Sequence, residues 1–160
     1  MSLLKTLYAL AIALLVVAFV GFGISAFYPE PEFPQPPPEL QFGEFPTEEG
    51  PTDDEKKLMI EQQEQEEAFQ ERLSDYNRVV SSISIGLAVL LLVGSLLWIS
   101  GVPVIGDGLT LGAVFTLFYG LIRALMTQDE RFRFVAVAVG LAVVLAFVYW
   151  RFVRSKEEPT

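Results

Sequence analysis

The sequence contains no cysteine and no histidine. Without cysteine, no disulfide framework and no thiolate nucleophile can exist. Without either residue, a Cys/His zinc site, a Ser-His-Asp triad and a Cys-His pair are all excluded. Because these absences remove much of the catalytic repertoire, the sequence predicts a protein that is not an enzyme and that holds no catalytic residue, metal or cofactor.

Charge is also missing from long stretches of the chain. No acidic or basic residue lies within 6–28, 79–98 or 134–150, and the run 109–126 carries a single charge, Arg123, near its end. Each run approaches the ~20 apolar residues that cross ~30 Å of hydrocarbon. None has the polar face that a soluble helix of this length needs. The sequence therefore predicts an all-α integral membrane protein with four transmembrane helices.

The acidic residues are concentrated in one segment. Residues 29–78 hold 15 of the 20 acids and four of the 11 basic residues, which gives this segment a net charge of −11 and the remainder +2. Such a segment repels phosphate, so nucleic acid is not expected as a partner.

A single long helix is predicted from Thr52 to Trp98, because no proline or glycine lies between residues 52 and 85. Thr52 and Glu55 have the spacing of a capping box, and the acidic first turn suits the helix dipole. Its polar half, 52–78, forms an acidic extramembrane helix that continues into the second span, 79–99. Apolar residues recur along both halves at alternating spacings of three and four, which predicts a heptad-like seam. The seam residues are Phe69, Leu73, Tyr76, Val80, Ile83, Leu87 and Leu90.

A Pro-rich arm, 29–51, precedes this helix. Residues 28–51 contain eight of the ten prolines, which excludes helix and sheet interior and favours extended polyproline II. Two interpretations stay open: a disordered spacer, or an ordered arm whose apolar side chains pack along the seam. The predicted contact residues are Phe33, Leu40, Phe42 and Phe45 of the arm and Phe69, Leu73 and Tyr76 of the helix.

The other segments follow from the apolar runs. The first transmembrane helix covers 1–28 and is interpreted as a retained signal anchor rather than a cleaved peptide, since its apolar run exceeds that of a signal sequence. The third covers 108–126, with Asp107 as its N-cap. A turn at 127–130 leads into the fourth helix, 131–153, and a charged tail, 154–160.

Small residues recur at spacings of four or eight within the second, third and fourth spans. This pattern favours close helix contacts in lipid. The predicted packing residues are Gly86 and Gly94 in the second span, Gly108, Gly112, Thr116 and Gly120 in the third, and Ala138, Ala142 and Ala146 in the fourth.

The two sides of the membrane would carry nearly equal numbers of basic residues near the spans, so the positive-inside rule alone does not decide the orientation. The first helix decides it. Lys5 precedes that helix, whereas Glu30 and Glu32 follow it. We expect both termini in the cytoplasm and residues 28–78 outside it, in the plasma membrane of a prokaryote. Arg123 is expected to extend toward the lipid headgroups, with Asp129 and Glu130 as its nearest acidic neighbours in sequence.

These features together predict a multi-pass accessory, assembly or scaffold subunit. It would present the acidic helix and the Pro-rich arm to a protein partner or to copies of itself, in a homo-oligomer within the lipid bilayer. The alternative is a small oligomeric channel or transporter subunit with a pore lined by Ser81, Ser84 and Thr116. A dedicated cation site in the acidic helix is not expected, since no calcium-binding loop is present.

Overall fold

The structure, a computed structural model, describes residues 3–35, 53–98 and 102–154. Of these residues 90% are helical, none lies in a strand, and they form four helices. The helices are α1 (Leu3–Phe27), α2 (Asp53–Trp98), α3 (Pro103–Leu125) and α4 (Glu130–Arg154). All four are long and apolar enough to cross a membrane, which confirms an all-helical chain compatible with an integral membrane protein.

The central element is α3, which packs extensively against both α1 and α2, whereas α1 and α2 meet each other over a smaller area through a cluster of side chains. The fourth helix is the least buried of the four and meets α3 and α2 more sparsely. One apolar cluster joins Ile85 and Ala88 of α2 to Leu117 and Ala124 of α3 and to Ala136 of α4. The chain therefore folds around α3, with α1 and α2 on two of its faces.

The second helix runs without interruption for 46 residues from Asp53. At about 1.5 Å per residue it is about 69 Å long, more than twice the ~30 Å of a bilayer core. Thr52, the predicted cap, lies outside the described residues. Gly86 and Gly94 are accommodated inside the helix, where glycine lowers stability without breaking the hydrogen-bond ladder.

The third helix begins earlier than predicted. It starts at Pro103 with Val102 as its N-cap, so the prediction that Asp107 caps a helix starting at 108 is wrong. Proline is favourable at the first helical position, because that residue's N–H has no partner inside the helix and proline's φ is already helical. Asp107 lies inside α3, where its Oδ1 accepts a hydrogen bond from Nη2 of Arg151 at 3.1 Å.

The fourth helix has the aspartate cap that the third lacks. Asp129 Oδ1 accepts hydrogen bonds from the backbone N–H groups of Arg131, at 2.9 Å, and Phe132, at 3.2 Å. This is the N-cap arrangement that pairs a side-chain oxygen with two otherwise unpaired donors of the first turn. The four-residue connection between α3 and α4 makes them an antiparallel hairpin.

Candidate functional site

The polar half of α2, from Asp53 to Arg78, exposes most of its charges. It carries nine acidic and four basic residues, a net charge of −5. Gln62 and Gln63 donate hydrogen bonds to Glu66 and Glu67, one turn further on, at 3.1 and 3.0 Å. Such contacts support an isolated helix weakly, by ~0.2–0.5 kcal/mol each. Five glutamates of this half are exposed, namely Glu61, Glu64, Glu66, Glu67 and Glu71.

Arg123 is the centre of a polar cluster where the polar and apolar halves of α2 meet. Its Nη1 donates to Oδ1 of Asn77 at 3.0 Å and lies 3.5 Å from Oε1 of Glu30, and its Nε donates to the Tyr119 hydroxyl at 3.3 Å. The guanidinium also lies over the rings of Tyr76 and Tyr119, 5.5 and 5.7 Å from their centroids. We call these five residues the Arg123 cluster.

The Arg123 cluster joins three parts of the chain. Glu30 belongs to the segment after α1, Asn77 and Tyr76 to α2, and Tyr119 to α3 with the arginine itself. Asn77 is 1% exposed, so its amide oxygen depends on the guanidinium for a partner inside the protein. A buried charge that is paired and hydrogen-bonded avoids the large cost of an isolated one.

Sequence reasoning missed Glu30 and Asn77. It weighed only the acidic residues that follow Arg123 directly, whereas the observed partners lie 93 and 46 residues away along the chain. No signal in the sequence was specific to Asn77, because Arg78 also lies between Tyr76 and Val80 of the predicted seam and is exposed.

The described part of the arm lies against the seam of α2. Tyr28 stacks on Tyr76 with ring centroids 5.3 Å apart and planes 5° from parallel. Phe33 meets Phe69 edge to face at 5.0 Å. Aromatic pairs of these kinds contribute ~0.5–1.5 kcal/mol beyond the area that they bury. Leu40, Phe42 and Phe45, the other predicted arm contacts, lie outside the described residues.

The seam itself divides between inner and outer positions. Tyr76 and Val80 are buried in a cluster with Val20 and Ile24 of α1, and Leu73 packs against it. Further along α2, Leu87 still packs against this cluster, whereas Ile83 is 41% and Leu90 68% exposed.

The α3–α4 turn is fastened to α2 beside the Arg123 cluster. The backbone N–H of Gln128 donates to Ser74 Oγ at 2.9 Å, and Arg78 lies 4.0 Å from a carboxylate oxygen of Asp129. Arg78 also lies over the Phe132 ring, 5.3 Å from its centroid. The turn therefore contacts α2 at Ser74 and Arg78, within one helical turn of the α2 residues that contact Arg123.

The small residues of α3 serve two different contacts. A Cβ built on Gly108 would meet the Cβ of Ile12 at 2.8 Å, and one on Gly112 would meet the Cβ of Val16 at 2.9 Å, both on α1. A Cβ on Gly120 would instead meet Ser84 of α2 at 3.0 Å. The glycines thus allow α1 and α2 to approach two levels of α3.

The predicted small residues elsewhere have open surroundings in the described part of the chain. A Cβ on Gly86 or Gly94 would have no neighbour within 4 Å. Ala138, Ala142 and Ala146 are exposed on α4. Their role in close helix packing stays a prediction.

The hydroxyl side chains of the predicted pore are buried inside a single chain. Ser81, Ser84 and Thr116 are 0% exposed, and Ser84 of α2 lies against Gly120 of α3. Thr116 Oγ1 donates to the Gly112 carbonyl at 2.8 Å. In the described residues no group of three or more acidic, histidine or cysteine side chains is arranged to hold a metal ion.

Comparisons of this chain with protein-family models, with curated proteins and with solved structures find no match.

Proposed function

We propose that this protein is a non-enzymatic accessory or scaffold subunit of a membrane assembly. It presents the acidic half of α2, with the Pro-rich arm beside it, to a protein partner or to a second copy of the chain. The single observation that carries this proposal is the uninterrupted α2, whose polar half is about 39 Å long by the ~1.5 Å rise of a helix.

The polar half is suited to this role because it is held at its base. The Arg123 cluster ties Asn77 and Tyr76 to α3, and the α3–α4 turn holds Ser74 and Arg78 from another side. Contacts on two sides of α2 at the same position along its axis fix the orientation of the polar half relative to the transmembrane helices. Its exposed glutamates can then meet a partner surface with little further ordering, which lowers the entropic cost of binding.

The expected partner surface is basic. A helix with nine acids against four bases attracts positive charge and repels acidic surfaces, so a second copy would have to bind it through residues outside its own acidic half. In our proposed orientation, residues 28–78 lie outside the cytoplasm and both termini lie inside. The partner would therefore meet the chain on the outer side of the membrane.

Site-specific photo-crosslinking in membranes that contain the full chain tests this proposal. A photoreactive residue replaces Glu64 or Gln70 on the polar half, and Leu145 on α4 serves as the matched exposed position. We expect protein crosslinks from Glu64 and Gln70, either to a second copy or to one discrete partner. Replacing the five exposed glutamates by glutamine should abolish those crosslinks, because recognition is electrostatic.

Two results would overturn the proposal. The first is the absence of protein crosslinks at both positions of the polar half, whatever Leu145 gives. The second is crosslinking that survives neutralisation of the glutamates. The channel alternative gains no support from the geometry, because the three residues suggested for its pore are 0% exposed within the described part of one chain.

A further inference from the structure

A groove lies between α1, α3 and α4 at the end of the bundle opposite the Arg123 cluster. Its volume is about 610 Å³, within the range of ~300–1,000 Å³ that is common for ligand sites. Lys5, Asp107 and Arg151 lie at its outer end, and Leu10, Val114 and Phe147 line it further in. We call it the Lys5 groove.

The polarity of the Lys5 groove changes along the helix axes. On α3, Val114 is seven residues beyond Asp107, about 10 Å deeper at ~1.5 Å per residue. On α1, Leu10 is five residues beyond Lys5, and on α4, Phe147 is one turn before Arg151. Every helix therefore places its charged residue at the end of the bundle and its apolar residue deeper, as a headgroup and an acyl chain are arranged in a lipid.

Among the described residues, the charges at the outer end leave a net positive site. Asp107 and Arg151 form an ion pair at 3.1 Å and balance one another. Lys5 is exposed and pairs with no acidic residue in the part of the chain that the structure describes. Arg151 still has donors to offer, because a guanidinium carries five N–H groups.

We propose that the Lys5 groove binds one anionic phospholipid. Lys5 and Arg151 contact the headgroup phosphate, and one acyl chain lies along Leu10, Val114 and Phe147. Charge complementarity selects a lipid of net charge −1 over a zwitterionic one, since Lys5 supplies one positive charge that no described acidic residue balances. This inference does not depend on the scaffold proposal, because it concerns the opposite end of the molecule.

Native mass spectrometry of the full chain tests the proposal. The protein in non-ionic detergent receives equal amounts of phosphatidylglycerol and phosphatidylcholine with identical acyl chains. We expect one phosphatidylglycerol to be retained in preference to phosphatidylcholine. Lys5→Gln should weaken that binding about fivefold, the factor that corresponds to the ~1 kcal/mol attraction between one basic residue and an anionic lipid surface.

Two further variants separate the groove from general electrostatics. Arg131→Gln removes the same charge from an exposed position at the other end of the bundle and should leave the binding unchanged. Val148→Trp, at a 44% exposed position that lines the groove, should displace the lipid while every charge remains. Its helicity, measured by circular dichroism, shows whether it folds, and Lys5→Gln tests the site independently.

Three outcomes would overturn the lipid site. Equal retention of the two lipids would refute the selection by charge. A loss with Arg131→Gln as large as with Lys5→Gln would assign the effect to total charge. Unchanged binding in a folded Val148→Trp protein would place the lipid outside the Lys5 groove.

Discussion

Replacement of Arg123 by methionine should destabilise the protein by about 2–6 kcal/mol, the sum of the contributions below. Methionine keeps an unbranched apolar stem and removes only the guanidinium. The buried amide oxygen of Asn77 would lose a partner 3.0 Å away, at a cost of ~1–3 kcal/mol. Loss of the two cation–π contacts adds ~0.5–1 kcal/mol each. Glu30 contributes ~0–1 kcal/mol, because its side chain is 54% exposed.

The assay is reversible unfolding in mixed micelles, followed by far-ultraviolet circular dichroism. A double-mutant cycle with Asn77→Ala isolates the hydrogen bond itself. We expect the two variants to be coupled by ~1–2 kcal/mol, since residues of one buried network are not additive. Arg131→Met is the matched control: its side chain is exposed, and the change should stay within ~0.5 kcal/mol of zero.

Unfolding of Arg123→Met at the same free energy as the original protein would refute a stabilising role of the Arg123 cluster. A double variant whose loss equals the sum of the single losses to within ~0.5 kcal/mol, the ordinary limit of additivity for independent sites, would refute the coupling of Arg123 to Asn77. A loss as large in Arg131→Met would show that the measurement responds to total charge and not to the Arg123 cluster.

Three further predictions concern a glycine contact between helices, the contact of the arm with α2, and the N-cap of α4. Gly112→Ala should lower the free energy of unfolding by ~1–3 kcal/mol, because the new Cβ would lie 2.9 Å from the Val16 side chain of α1. Gly94→Ala is the control: its Cβ has open space, so the change should be neutral or stabilising in the same unfolding assay. If Phe33 and Phe69 are both replaced by cysteine in this cysteine-free chain, a short bifunctional thiol reagent should crosslink them. The crosslinking yield should be lower when Arg123→Met is added. Equal yields with and without Arg123→Met would show that the arm contact does not depend on the Arg123 cluster. Asp129→Ala should lower the free energy of unfolding by ~0.5–2 kcal/mol, because α4 loses its N-cap. Asp129→Asn keeps the capping oxygen and should lower it much less. Equal losses in the two variants would assign the effect to the charge of Asp129.

The sequence by itself determined the helices, because helix formation here depends on local features. Each apolar run is long enough to span a bilayer and carries little or no charge, and the hydrogen bonds of a helix close within the same segment. The continuity of α2 follows from the absence of proline and glycine over residues 52–85. The start of α3 differs from the predicted residue 108 because the apolar run marks only the membrane-spanning part of the helix, whereas Pro103 is well suited to a first helical turn.

Only the tertiary structure decided which polar residues meet. Arg123 reaches Glu30 and Asn77, and Asp107 reaches Arg151, across 44 to 93 residues of chain. A helical period tells which residues share a face, but not which neighbour lies against that face. The same limit applies to the glycines of α3, since one spacing of four placed Gly112 against α1 and Gly120 against α2. The partners were fixed by how α1, α2 and α4 pack around α3, which depends on the shapes of all four helices together.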